Sequence, residues 1–375
     1  MPRFIAHKAD RRDNSELCAL FRDAPMAGAI RIALEREPDF FLCAGVQTEQ
    51  PEVYAGHDSL AAQSNERTRI AAVFSTGGRH VFVNGKKRFV RYFSDLRILP
   101  EYRNGTLLAR GFHWIHANVM RGTEFAQTII VADNRKAIEY LGSGRAGLPF
   151  YHPAGAYITH AVSLQSRPPR KRNKNLPALH IRRAQSNDMA AMQKLLDREG
   201  PRKQFYPCYE FQKLDKDYYH GLKISDFWLA LHGEQLVGIA GVWDQRAFKQ
   251  TRIVSYAPLI ATLRPLLNLL RRFMGGIRLP PANSVLQYFF LHTILIQDNN
   301  PDIFRALLHA VYRAHRNSEF EYFLCGLDAL DPLNAALEGF VRRKFHGRHF
   351  LVSFDREHPR EHLRPGPYYL EAARI

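Results

Sequence analysis

Cysteine is scarce in this chain of 375 residues: Cys18, Cys43, Cys208 and Cys325 stand far apart, with no CxxC pair among them. That excludes a disulfide framework and a cysteine-based zinc site, and a reducing compartment is expected. Long apolar runs are missing as well. The stretch LQYFFLHTILIQ at 286–297 falls short of the roughly 18 apolar residues that a membrane-spanning helix needs. The opening MPRFIAHKADRRDN has no apolar core of a signal peptide. A soluble, cytoplasmic protein without a membrane span is therefore expected. Neither a GxSxG elbow nor a Walker-type loop occurs, which removes two common routes to hydrolase and nucleotidase chemistry. His113 and His116 share an i, i+3 spacing, but no acidic partner follows them. They read as surface histidines, and no metal is expected.

What is abundant is positive charge. Lysine and arginine number 53 against 36 acidic residues, a net charge of +17. Such an excess suits an anionic partner: nucleic acid, an acidic carrier protein or a phosphorylated cofactor. A basic surface with no nucleic-acid role is the plainer reading, so nucleic acid is the less favoured partner. Hydrophobic residues make up 46% of the chain and aromatics 12%, enough for sizeable cores, and the length suits two domains. The boundary falls at SRPPRKRNKNLP, residues 166–177. This run carries Arg167, Arg170, Lys171, Arg172 and Lys174 with no apolar face. It reads as a solvated basic linker between an N-terminal domain at 1–165 and a C-terminal domain at 178–375.

Element patterns repeat on either side of that linker. Before it, AGAIRIALEREPDFFLCA reads as a helix closed near Pro38, and Asn84-Gly85 joins two strand-like runs as a hairpin. FAQTIIVADN at 125–134 is a buried strand, with Asn134 capping RKAIEYL. After the linker come the strand LHIRRA and the helix DMAAMQKLLDREG, then the hairpin FWLALHGEQLVGIAGVW. The strand LQYFFLHTILIQ, the helix DIFRALLHAVYRAHR, the strand EYFLCGLD, the short helix DPLNAALEGF and the strand RHFLVSF follow. The fold class expected is α+β or mixed α/β, with two similar domains in tandem, each a mostly antiparallel twisted sheet flanked by helices. An insertion at 258–280 places Leu263, Leu266, Leu267, Leu270 and Met274 on one helical stripe, with Arg264, Arg271 and Arg272 off it. Packing on its own protein is the expectation for that stripe. A membrane-surface or partner helix is the alternative.

One segment, SDLRILPEYRNGTLLARGF at 94–112, changes period halfway. Leu96 and Ile98 alternate with Asp95 and Arg97 as a strand requires, and Pro100 ends the strand. Leu107, Leu108, Phe112 and Ile115 then recur at helical spacing. Between them lie Arg103, Asn104, Gly105 and Thr106, a turn at a helix N-terminus whose unpaired amides suit a phosphate. In the second half the matching stretch QDNNPDIFRALL has no glycine, and Pro301 lacks an N–H that a phosphate would need.

On the strength of YFSDLRIL, PEYRNGTLLARG and TIIVADNRKAIEYL, the first half resembles acetyltransferases of the GNAT superfamily. The whole chain looks like a tandem GNAT protein, with the resemblance covering most of 26–164 and echoing over 178–355. In that family a strand leads into Gln/Arg-x-x-Gly-x-Gly/Ala, whose amides hold the pyrophosphate of acyl-coenzyme A. Arg103 matches the first position, Thr106 and Leu108 stand where the glycines would be, and Gly105 lies one place early. The resemblance implies that the backbone at Leu96, Arg97 and Ile98 pairs with pantetheine. It also implies that Arg103, Asn104, Gly105, Thr106, Leu107 and Leu108 cradle the pyrophosphate, and it matches Asn134 to a family asparagine. The co-substrate implied is acetyl-CoA or a longer acyl-CoA. A family tyrosine seven residues after that asparagine would protonate the leaving thiolate. Leu141 occupies that place here, and Tyr140 lies one residue away.

The implied reaction is acyl transfer to an amine of a small molecule or peptide. An amine with a pKa near 10.4 is protonated at neutral pH, so its proton must go to a base or a water chain. Asp95 on the cofactor strand is the candidate base and Tyr140 the candidate acid, with Glu37, Asp39 and Tyr151 as further candidates. Two alternatives stand beside this reading. One is a tRNA-dependent aminoacyl transferase of the same fold, suited by the basic charge. The other is a non-catalytic acyl-CoA-binding module.

Overall fold

The computed structural model describes residues 4–26, 28–58, 70–103, 106–141, 144, 147–166, 168–169, 179–274 and 278–375. Most of the basic linker therefore lies outside the described residues, as do Asn104 and Gly105.

In the first half the strands of the main sheet are β1 (Phe4–Lys8), β3 (Glu52–Asp58), β4 (Ile70–Val83), β5 (Lys86–Ile98), β6 (Ala126–Val131) and β7 (Phe150–Ser163). The helices are α1 (Asn14–Asp23), α2 (Phe40–Gln47), α3 (Leu107–Asn118) and α4 (Arg135–Leu141). Asn84 and Gly85 take φ of 52° and 82°, as the tight turn between β4 and β5 demands. The second half supplies β8 (Leu179–Arg183), β9 (Phe227–His232), β10 (Gln235–Trp243), β12 (Tyr288–Ile296), β13 (Tyr322–Asp328) and β14 (Arg342–Ser353). Its helices are α5 (Met189–Glu199), α6 (Pro258–Met274) and α7 (Pro301–His315).

These strands join into one sheet of twelve, in the order β1-β3-β4-β5-β6-β14-β7-β13-β12-β10-β9-β8. The order reads as two copies of one pattern meeting in the middle. The last strand of each half is exchanged: β14 pairs with β6, and β7 pairs with β13. The α+β class and the mostly antiparallel sheet are as expected. The sheets of the two halves are fused through the exchanged pair β7–β14. Both faces of this sheet carry helices. On one face Phe304, Leu307, Leu308 and Val311 of α7 are buried with Phe289 and Leu291 of β12, and Phe112 and Ile115 of α3 with Phe74 and Phe93. On the other Met192, Leu195 and Leu196 of α5 are buried with Leu229 and Ile239. Each such side chain contributes about 1.5–3 kcal/mol of burial.

Two expectations need correction. Residues near 27–44 do not form one helix. Instead β2 (Ile30–Glu35) pairs antiparallel with β11 (Gln250–Tyr256) of the other half, and α2 starts afresh behind Pro38. A partner strand that arrives from the other half decides the matter for Ile30, Ile32 and Leu34, and no local window contains it. Asp39 then accepts the amides of Phe41 and Leu42, an N-cap that makes the new helix start.

The leucine stripe of α6 does not pack on its own protein either. Ile260, Arg264 and Asn268 are partly buried, while Leu259, Leu263, Leu266, Leu267, Leu269 and Leu270 are exposed. The reason is a polar anchor: the Asn268 side chain donates to the Leu279 carbonyl and accepts the Leu279 amide, both at 2.9 Å.

Candidate functional site

Strands β5 and β6 run parallel but share only two register pairs, Arg91 with Ala126 and Tyr92 with Gln127. Beyond Tyr92 they part, and the Phe93 carbonyl accepts the Thr128 hydroxyl at 2.9 Å instead. On its other side β5 stays paired to β4, with a bulge: Ser75 faces Ser94 and Val73 faces Arg97, so Asp95 and Leu96 oppose Phe74 alone. Asp95 takes the left-handed conformation there, with φ of 55°. A bulge bends a strand and re-aims its side chains and amides, and here it borders the gap between the two strands.

The gap is a cleft of about 320 Å³. It brings together Asp95, Leu96, Arg97 and Asn134 of the residues expected from sequence, together with Tyr151. Ile98, Leu107 and Leu108 line a second, apolar cavity of about 230 Å³ between α3 and the sheet. The two cavities share Phe74 and Leu96. Thr106 is the N-cap residue of α3 but makes no side-chain cap bond. The Arg103 guanidinium is turned back onto the Ile98 carbonyl at 2.9 Å. Asn134 caps α4 as expected, accepting the Ala137 amide at 3.3 Å. Tyr140 is 67% exposed and is not among the residues that line the cleft. Glu37 is paired with Arg22 at 2.8 Å, and Asp39 is committed to its cap.

Several cleft residues carried no signal in their own neighbourhoods. Arg36, which follows β2, is buried and donates from Nη2 to the Asp95 carboxylate at 3.3 Å. Its Nε has no hydrogen-bond partner among the described residues. Lys249, which precedes β11, enters the cleft from the second half and donates from Nζ to the Ile375 carbonyl oxygen at 2.5 Å. Burial, reinforced by the charge of Arg36, pulls the Lys249 ammonium down to a pKa of about 8. Burial pushes the Tyr92 hydroxyl up to about 12 and the Tyr151 hydroxyl well above its ordinary value, so both keep their protons at neutral pH. The ribbon of β2 and β11 is what delivers Arg36 and Lys249 to one place.

At the equivalent position of the second half the same device recurs. Strands β12 and β13 pair over Tyr288 to Phe290 and then part. Ile239 faces Leu295 and Gly241 faces His292, so Thr293 and Ile294 form the bulge, with Thr293 at φ of 52°. Here the gap is occupied by the chain itself. The Glu371 carboxylate accepts the Thr293 amide at 2.9 Å and the Tyr369 and Tyr209 hydroxyls at 2.7 and 3.3 Å. Tyr157 donates to the Leu370 carbonyl at 2.8 Å. What space is left, about 470 Å³, lies at the strand ends beside Asp298, Asn299 and Asp331.

No family profile and no curated protein matches the sequence. Solved structures do match the fold. A GCN5-related N-acetyltransferase of Sphaerobacter thermophilus is similar with a TM-score of 0.52 at 12% identity, over 98% of each chain. The Saccharomyces cerevisiae N-myristoyltransferase with bound myristoyl-CoA gives a TM-score of 0.57 at 10% identity, over 96% of this chain and 86% of that one. The glucosamine N-acetyltransferase region of a fungal multi-domain β-N-acetylglucosaminidase gives 0.61 at 12% identity. It covers 94% of this chain, which spans 38% of that longer protein. The chain thus has the fold of the GCN5-related N-acetyltransferases, in agreement with the resemblance read from its sequence.

Proposed function

We propose that the protein transfers an acyl group from acyl-coenzyme A to an amine, and that the reaction takes place in the cleft between β5 and β6. The observation that carries this reading is the open gap beside the Asp95 bulge, walled by ionisable side chains from both halves. Along the edge of β5 that β6 leaves, from Ser94 to Ile98, backbone groups other than the Ile98 carbonyl, which Arg103 holds, are available to the pantetheine amides. The first turn of α3 offers amides to the pyrophosphate.

The chemistry follows from the groups at hand. The amine nitrogen attacks the thioester carbonyl, the C–S bond breaks and the nitrogen loses a proton. Lys249 is the group suited to take that proton, since a lysine brought to a pKa of about 8 has a neutral fraction at pH 7 far above that of an ordinary lysine, and one that grows as pH rises. The amine enters the step in its neutral form, and Asp95, its carboxylate fixed by Arg36, accepts a hydrogen bond from it. Tyr151, which keeps its proton, is the donor suited to the departing thiolate. The apolar cavity that adjoins the cleft at Phe74 and Leu96 supports an acyl chain longer than acetyl.

The test is calorimetric titration of the full chain with acetyl-CoA and with longer acyl-CoA thioesters, followed by amide formation on a panel of amines. Binding of one acyl-CoA per chain, tighter for the longer chains, is expected. Absence of binding by every thioester would overturn the reading.

A further inference from the structure

Helix α6 is turned inside out. Its 17 residues make a rod of about 25 Å. On an ordinary surface helix the leucines face the core and the polar residues face water. On α6 the partly buried residues are Ile260, Arg264 and Asn268, and Asn268 anchors the helix to Leu279. Leu259, Leu263, Leu266, Leu267, Leu269 and Leu270 are between 38% and 71% exposed. Such a concentration of leucine on one element marks a surface that something covers.

We propose that α6 docks the protein on an anionic lipid surface, lying in the plane of the interface with its leucines in the acyl region. Charge complementarity selects this occupant. The helix carries Arg264, Arg271 and Arg272 with no aspartate or glutamate between 258 and 274, in a chain of net charge +17. Leucine on one side with arginine as the only charge is the composition of an interfacial helix attracted to acidic headgroups. A second copy of this chain on the same face would bring two all-cationic helices together, which is unfavourable. No helix among the described residues is long and apolar enough to cross a bilayer, so the helix lies on the membrane. The seven-residue β11 links α6 to Lys249, a span of about 23 Å at strand rise. The docked face therefore stands within one strand's length of the cleft.

The experiment is co-sedimentation of the full-length protein with two kinds of vesicle, pure phosphatidylcholine and equal parts phosphatidylcholine and phosphatidylglycerol. Binding to the anionic vesicles, little to the neutral ones, and a decline as salt is raised are expected. The double variant Leu266→Gln, Leu270→Gln alters exposed side chains only, so its melting temperature is expected to be unchanged. Its affinity for anionic vesicles should fall by about tenfold or more, as two leucines no longer enter the acyl region. No binding to either vesicle would overturn the proposal, as would equal binding to both or full binding by the double variant. A concentration-dependent dimer that the leucine changes dissociate would also overturn it, and would assign the face to a second copy.

Discussion

The two halves of this protein carry the same backbone device and use it differently. In each, two parallel strands part beside a bulge whose first residue has positive φ, Asp95 in one half and Thr293 in the other. Beside Asp95 the gap is open and walled by Arg36, Lys249 and Tyr151. Beside Thr293 the bulge amide is already taken by the Glu371 carboxylate, and residues 368–373 are buried in the gap. A site is therefore decided less by the strand geometry than by what else the chain brings to it. The second half contributes to the first twice over, through Lys249 and through the exchanged strand β14.

The largest test breaks the comparison outright. Fragments 1–165 and 178–375 each lose the strand that completes their half, because β7 lies between β14 and β13. Neither fragment is expected to show a cooperative thermal transition alone, whereas an equimolar mixture regains one. A cooperative transition in the first fragment by itself would show that the exchanged strands are dispensable.

The next test separates the two candidate proton acceptors. Lys249→Met should lower kcat about 100-fold or more, the usual worth of general-base catalysis, with acyl-CoA affinity retained. The folded-state pKa of Lys249 is depressed to about 8, so its base form grows as pH rises through that value. The wild-type rate should climb with pH and level off above about 8, and the variant's profile should lose that rise. Asp95→Asn instead leaves the buried Arg36 guanidinium unpaired and should cost stability, by about 3–5 kcal/mol. A hundredfold activity loss in folded Asp95→Asn, with the Lys249→Met profile unchanged, would transfer the base role to Asp95.

In the occupied gap, Glu371→Gln keeps an oxygen for the Thr293 amide but loses the carboxylate that also serves two tyrosine hydroxyls. Unfolding free energy should fall by about 1–3 kcal/mol, read from denaturant titration. Acyl-CoA stoichiometry should stay at one per chain. A second equivalent would mean that the Glu371 carboxylate alone keeps that gap closed to ligand.

The smallest effect is expected at Gly111 in α3. A Cβ there meets nothing within 4 Å, and glycine inside a helix costs about 0.5–1 kcal/mol relative to alanine. Gly111→Ala should raise stability by that amount. Gly111→Leu would intrude on the apolar cavity that Gly111 lines, and should weaken long acyl-CoA while sparing acetyl-CoA. Equal effects on both thioesters would detach the cavity from the acyl chain.

Much of this molecule was legible locally. The Asn84-Gly85 turn between alternating runs, the period change from β5 to α3 and the Asn134 cap each depend on residues within a turn or two of one another. So does the start of α7, where Asn300 accepts the Asp302 amide ahead of Pro301. The proposed site was legible only in part. Asp95, Leu96, Arg97 and Asn134 came from one contiguous motif and its partner strand. Arg36 and Lys249 were missed because nothing near either residue in sequence marks it, and the ribbon that unites them pairs two distant segments. Tyr140 was singled out by its spacing from Asn134, but it sits exposed on α4 and outside the cleft lining.

By itself, then, the sequence determined the elements with short-range causes: hairpin, caps, helical stripes, the mixed α+β class and the strand-to-helix turn. Only the tertiary structure decided which half has an open cleft, whose lysine enters it and which way the leucines of α6 face. The physical reason is range. Propensity, capping and turn chemistry act over a few residues. Strand exchange, the filling of a gap by residues 368–373 and the burial of Lys249 depend on contacts between distant segments, whose free energy exists only when the whole sheet has formed.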